Sequence, residues 1–77
     1  MTDAYVHIYV DAGAVRQAAE AIAELDSVRT VHIVTGQFDV IAQLELDDPD
    51  RLPDVVATEI HPVTGVIESE TNVAYDV

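Results

Sequence analysis

Seven residues near the start of the chain, AYVHIYV from Ala4 to Val10, alternate in register and are apolar on both sides. Val6, Ile8 and Val10 share one face, and Tyr5, His7 and Tyr9 share the other. Period-two alternation marks a β-strand. A strand exposed to water on one side needs only one apolar face. This one needs cover on both, and the rest of the chain must supply it.

Asp11 is placed to cap a helix. From Gly13 to Leu25, the residues Val15, Ala18, Ala19, Ile22 and Leu25 form an apolar stripe at helical spacing, with Gln17, Glu20 and Glu24 on the wet side. Asp26-Ser27 breaks the helix. Val28 to Val34, VRTVHIV, is rich in β-branched residues and reads as a second strand. Val40 to Leu46 reads as a third, with Val40, Ala42, Leu44 and Leu46 on one face and Gln43 and Glu45 opposite. The short connection between them predicts an antiparallel hairpin. Asp47-Asp48-Pro49-Asp50 opens a second helix; Asp50 as its N-cap puts Pro53 in the first turn, where a missing N–H costs little. Leu52, Val55, Val56 and Ile60 form its buried stripe, and Pro62 ends it. Gly65 leads into a last strand, through Tyr75, with Ile67, Ser69, Thr71, Val73 and Tyr75 on one face. Two βαβ units with right-handed crossovers predict an α+β, ferredoxin-like βαββαβ fold. It is a four-stranded antiparallel sheet with two helices on one face, and residues 1–77 form a single domain.

The helices cover one face. The other is expected to carry Tyr5, Tyr9, Ile67 and Val73, with Val31 and Ile33 or their neighbours, and to pack against a second copy. Size argues the same way. A chain of 77 residues without cysteine has no disulfide or Cys-metal staple, so self-association is the available source of extra burial.

Charge narrows the function. Fifteen Asp and Glu face three Arg and no Lys, for a formal net charge of −12. With 49% of residues hydrophobic, this is a folded chain under an acidic skin, the pattern of a halophilic protein whose self-repulsion is screened by salt. Direct nucleic-acid binding is disfavoured. No apolar run reaches the length of a membrane span. The first residues lack a basic segment followed by an apolar block, so a cytoplasmic protein is expected.

The chemistry-bearing residues cluster between the second and third strands, in VTGQFDV. Gly36 supplies positive φ and lets a ligand reach the backbone. Turn N–H groups can hold a carboxylate, and Asp39 can hold an ammonium. Together they suit the zwitterionic head of an amino acid. Gly and Asp are equally ordinary turn residues, and on these residues alone the turn explanation is the simpler one. Phe38 reads as a plug at the hairpin base, and Thr35 as a turn residue. His7, His32 and His61 do not fall together into a metal site in the expected strand order. Asp47, Asp48, Asp50 and Asp54 lack the spacing of a calcium loop. No nucleophile–base pair is evident, so neither a cofactor nor catalysis is expected.

The stretch VRTVHIVTGQFDVIAQLEL resembles the signature of the Lrp/AsnC effector-binding domain, the RAM domain. Val34, Thr35, Gly36, Phe38 and Asp39 match its core, with Phe38 where Tyr is common. VTGVIESET matches its run into the last strand, through Val63, Gly65, Val66, Glu70 and Thr71, and AYVHIYVDAG with an Ala-rich helix matches its beginning. The resemblance implies homodimers formed through sheet faces, assembling further into rings such as an octamer. It implies an amino-acid effector near the hairpin, with Gly36 and Asp39 on its charged head and Thr35, Phe38 and Thr71 as further contacts. Regulators of this family carry a helix-turn-helix. None is visible here, so the expectation is a stand-alone form modulating a full-length regulator of the family. Two rivals share the fold: an ACT-like regulatory module, for which Gly13 would be the marker, and a small dimeric α+β-barrel enzyme, a cofactor-free monooxygenase or isomerase, using His7 or His61.

Overall fold

The computed structural model describes residues 2–77. Strand β1 spans Thr2–Val10, and a 3₁₀ turn at Ala12–Ala14 leads into helix α1, Val15–Ala23. Strands β2 (Val28–Ile33) and β3 (Val40–Leu46) form the hairpin. A 3₁₀ turn at Pro49–Arg51, helix α2 (Leu52–Val55) and a π-helical turn (Val56–Ile60) lead to β4, Val66–Ala74. The sheet order is β2-β3-β1-β4, and every neighbouring pair is antiparallel. This is the expected ferredoxin-like arrangement.

One apolar core lies between sheet and helices. β1 contributes Ala4, Val6, Ile8 and Val10; β3 contributes Val40, Ala42, Leu44 and Leu46, each at most 5% exposed. Ala18, Ala19 and Ile22 face them from α1, and Leu52, Val55 and Ile60 from the second helical segment. Alanine at 18 and 19 puts only methyl groups between this part of the helix and the sheet.

Both helix starts differ from expectation. The Asp11 side chain caps nothing; its N–H instead donates to the Gly65 carbonyl at 2.9 Å, tying the end of β1 to the start of β4. The second helical segment is capped by Asp48, not Asp50: an Asp48 carboxylate oxygen accepts the Asp50 N–H at 2.9 Å, with Pro49 in the first turn. Regular α-helix then lasts only four residues. The wide turn that follows is closed by the His61 N–H on the Val56 carbonyl at 3.0 Å. A π turn returns the chain to the same face after about five residues rather than four, which carries Ile60 back over the core after Val55.

The largest correction concerns β4. Ala4 pairs with Val73, Val6 with Thr71 and Ile8 with Ser69, so these β4 residues lie on the helix side. A bulge follows: Tyr9 pairs with Glu68 but Val10 with Val66, which displaces Ile67 and leaves it 60% exposed. Val31 and Ile33 pair with Ala42 and Val40 and also lie on the helix side. A one-residue slip exchanges the faces of a strand, and the bulge makes that slip. The outer face therefore carries Tyr5, His7, Tyr9 and Ile41 beside Glu68, Glu70, Asn72 and Glu45. Of the large exposed apolar residues, Ile67 and Val73 belong to β4 and Tyr75 follows it, while Tyr5 lies on the outer face and Ile33 ends β2.

Candidate functional site

The β2–β3 connection is held at three points. The Val34 N–H donates to the Asp39 carbonyl at 2.9 Å, closing the hairpin. The Asp39 N–H donates to the Ile8 carbonyl at 3.0 Å. The Asp39 carboxylate then accepts the Val10 N–H at 2.9 Å in a partly buried contact. Val10 is the residue at which β1 loses regular register with β4. Its N–H is satisfied by Asp39, so the side chain bolts the hairpin to the bulge. A carboxylate accepting a backbone N–H is a charge-assisted bond, stronger than a neutral one.

These contacts enclose residues 35–38. Gly36 has φ +110, and a side chain there would meet nothing within 4 Å. Its positive φ needs glycine, while the space beside it is open. Phe38 does not plug the hairpin base. It folds over the outer face of β1, with its ring centroid 4.6 Å from Tyr9 and 5.3 Å, edge-on, from His7. Edge-to-face and tilted pairs at these separations are attractive beyond their burial, and they fix the hairpin against the sheet.

Beside this aromatic cluster opens a cleft of about 380 Å³, lined by Tyr9, Gln37, Phe38, Glu68, Ser69 and Glu70. Two carboxylates and two aromatic rings favour a cation, by Coulomb attraction and by the negative ring faces. Of the expected site residues only Phe38 lines this cleft; Gly36 and Asp39 flank it in the same loop, and Thr35 stands exposed there. Thr71 does not join them. It lies on the helix side, in a separate apolar cleft of about 340 Å³ with Leu52, Pro53, Val56, Ala57, His61 and Val73. Tyr9, Gln37, Glu68, Ser69 and Glu70, which line this cleft, were not among the residues expected from the sequence. The alternation of β1 points Tyr9 to the outer face, but the two glutamates reach it only through the β4 bulge.

The histidines stay apart. His7 and His32 flank Ile41 from either side on the outer face. His61 is on the helix side, where its Nε2 and the Ser69 hydroxyl share a 2.8 Å hydrogen bond. Among the described residues, no three His, Asp or Glu gather as metal ligands, and no helix is long and apolar enough to cross a membrane.

Comparison with known proteins agrees with the fold. The protein TTHA0845 of Thermus thermophilus superposes with a TM-score of 0.93 at 39% identity, covering 100% of this chain and 96% of that one. An uncharacterised HTH-type transcriptional regulator of Pyrococcus abyssi is 30% identical over 61 residues, which is 79% of this chain but 41% of that regulator. The chain thus spans less than half of the curated relatives it matches. The Neisseria meningitidis transcriptional regulator NMB0573, solved as a complex with L-Met, shares the fold with a TM-score of 0.84 at 17% identity, over 97% of this chain and 50% of that one. Regulators among the relatives point to a regulatory domain rather than an enzyme. Residues 3–77 match the Lrp/AsnC ligand binding domain as a whole, and the chain belongs to that family.

Proposed function

We propose that this domain senses a free amino acid at the β2–β3 hairpin and converts its binding into a change of assembly. The observation that carries the reading is the bolted hairpin: Asp39 locks the loop to β1 while Gly36 leaves its backbone open. In this reading, loop N–H groups beside Gly36 hold the effector carboxylate. Asp39, Glu68 and Glu70 surround its ammonium, and Phe38 and Tyr9 supply the apolar wall. Thr35 is close enough in the chain to assist; Thr71, across the sheet, is not part of this site. The amino acid bound by the Neisseria regulator supports the ligand class.

Outer faces of two copies pair around Tyr5, Tyr9 and Ile41, and further assembly yields a larger homo-oligomer. Co-assembly with a full-length regulator of the family carries the response to DNA. The coupling is linkage: an effector that contacts one assembly more favourably than another shifts the balance towards it. Isothermal calorimetry with the proteinogenic amino acids, at high salt, tests this. Saturable heat with at least one of them is expected, together with a change of mass in light scattering. Absence of heat across the whole set would overturn the reading.

A further inference from the structure

We propose that β4 is a second, self-complementary contact: it pairs antiparallel with β4 of another copy about a two-fold axis at Thr71, joining two sheets into one. The proposal does not depend on amino-acid sensing or on pairing through the outer face.

β4 is an edge strand, bonded to β1 on one side only. An edge nine residues long presents unpaired N–H and C=O groups to any strand that fits. It carries exposed apolar side chains along its length and just beyond its end: Ile67 is 60% exposed, Val73 37% and Tyr75 86%. On its helix side lies the cleft walled by Leu52, Pro53, Val56 and Ala57, which a neighbouring strand and helical segment would close.

Charge selects the partner and the register. With both helical layers on the same side, residue faces must match, so the two-fold axis passes through a residue position. Axes at 68, 69 and 70 set Glu68 or Glu70 directly against Glu68 or Glu70 of the other copy, and axes at 72 and 73 set them against Asp76. Like charges directly opposite each other destabilise a strand pair. Axes at either end of the strand pair almost none of β4, and among axes at 68 to 73 only the one at Thr71 avoids every such pair. It places Glu70 opposite Asn72, whose amide donates to a carboxylate. It places Ser69 opposite Val73, and Thr71 opposite itself, a favourable cross-strand pair. Ile67 and Tyr75 then meet at either end. A chain with two different isologous contacts alternates them, and such assemblies close with even copy number or extend as filaments.

The chain has no cysteine, so single cysteines report the contact. Directly opposed residues have Cα atoms about 4.5–5.5 Å apart, within disulfide range. Under mild oxidation, Thr71→Cys should convert most of the full chain to a covalent dimer, whereas Gln17→Cys on α1 should not. Asn72→Cys, opposite Glu70 rather than itself, should link at least tenfold more slowly. Adding Asn72→Glu to the Thr71→Cys chain creates two Glu–Glu oppositions and should cut linkage about tenfold. The exchange Glu70→Asn with Asn72→Glu recreates the pair and should restore it. Thr71→Cys linking no faster than Gln17→Cys, or an exchange that fails to restore linkage, would overturn the proposal.

Discussion

Replacing Asp39 separates two roles that the same carboxylate holds. Asp39→Ala removes the acceptor of the partly buried Val10 N–H. A buried donor left unpaired costs about 1–3 kcal/mol; partial burial places this one in the lower half, at about 1–2 kcal/mol. For a domain of this size each kcal/mol moves Tm by about 4–8 °C, so the variant should melt about 4–16 °C lower at equal protein concentration. Asp39→Asn keeps an acceptor oxygen in nearly the same place and removes the charge. Its Tm should stay within about 4 °C of the parent, because a neutral hydrogen bond replaces a charge-assisted one. Amino-acid binding should nevertheless fall at least tenfold in that variant if the carboxylate also meets an ammonium. Thermal melts by circular dichroism, paired with calorimetric titration, read both quantities. An Asp39→Ala protein that melts within 2 °C of the parent by this assay would show that the Val10 contact contributes nothing, and the account of the hairpin as a bolted platform would fail.

Two further outcomes follow from geometry and charge. Gly65 has φ +96, and a Cβ there would sit 2.7 Å from the Ala14 Cβ; Gly65→Ala should cost about 2–3 kcal/mol, from positive φ and overpacking together, whereas Gly36→Ala, with the same kind of φ but open space, should cost about 1–2 kcal/mol in chemical denaturation. Equal losses at the two sites would refute the close approach of β4 to the turn before α1. Fifteen carboxylates face three Arg, and among the described residues only Arg29 and Glu45 form an ion pair, at 2.6 Å on the surface. Tm should therefore rise from dilute buffer to molar salt by on the order of 10 °C as repulsion is screened; a flat profile would remove the halophilic explanation of the acidity.

Much of the fold was legible because it rests on local periodicity. The alternation of Val6, Ile8 and Val10, the stripe of Ala18, Ala19 and Ile22, and the alternation of Val40, Ala42 and Leu44 each name a buried face without reference to any other segment. All of these residues are buried. The turn chemistry of Gly36 was readable for the same reason, since positive φ is a property of one residue. Short-range rules failed where two segments compete for one role. Asp48 and Asp50 are equally good caps, and Pro49 at the first helical position selects the earlier one. The widening after α2 left no mark in composition, because core packing of Ile60, not propensity, sets it.

The sequence by itself determined the order of elements, the helix-facing core and the place of the tight loop, since each follows from side chains a few positions apart. Tertiary structure alone decided which way β4 faces. Its bulge arises where the Asp39 carboxylate and the Gly65 carbonyl capture the N–H groups of Val10 and Asp11, contacts between segments far apart in the chain. That slip puts Glu68 and Glu70 beside Tyr9 and Phe38, sends Thr71 to the opposite side of the sheet, and leaves Ile67 exposed. A period of two specifies that the faces of a strand alternate; only its neighbours specify which face is which.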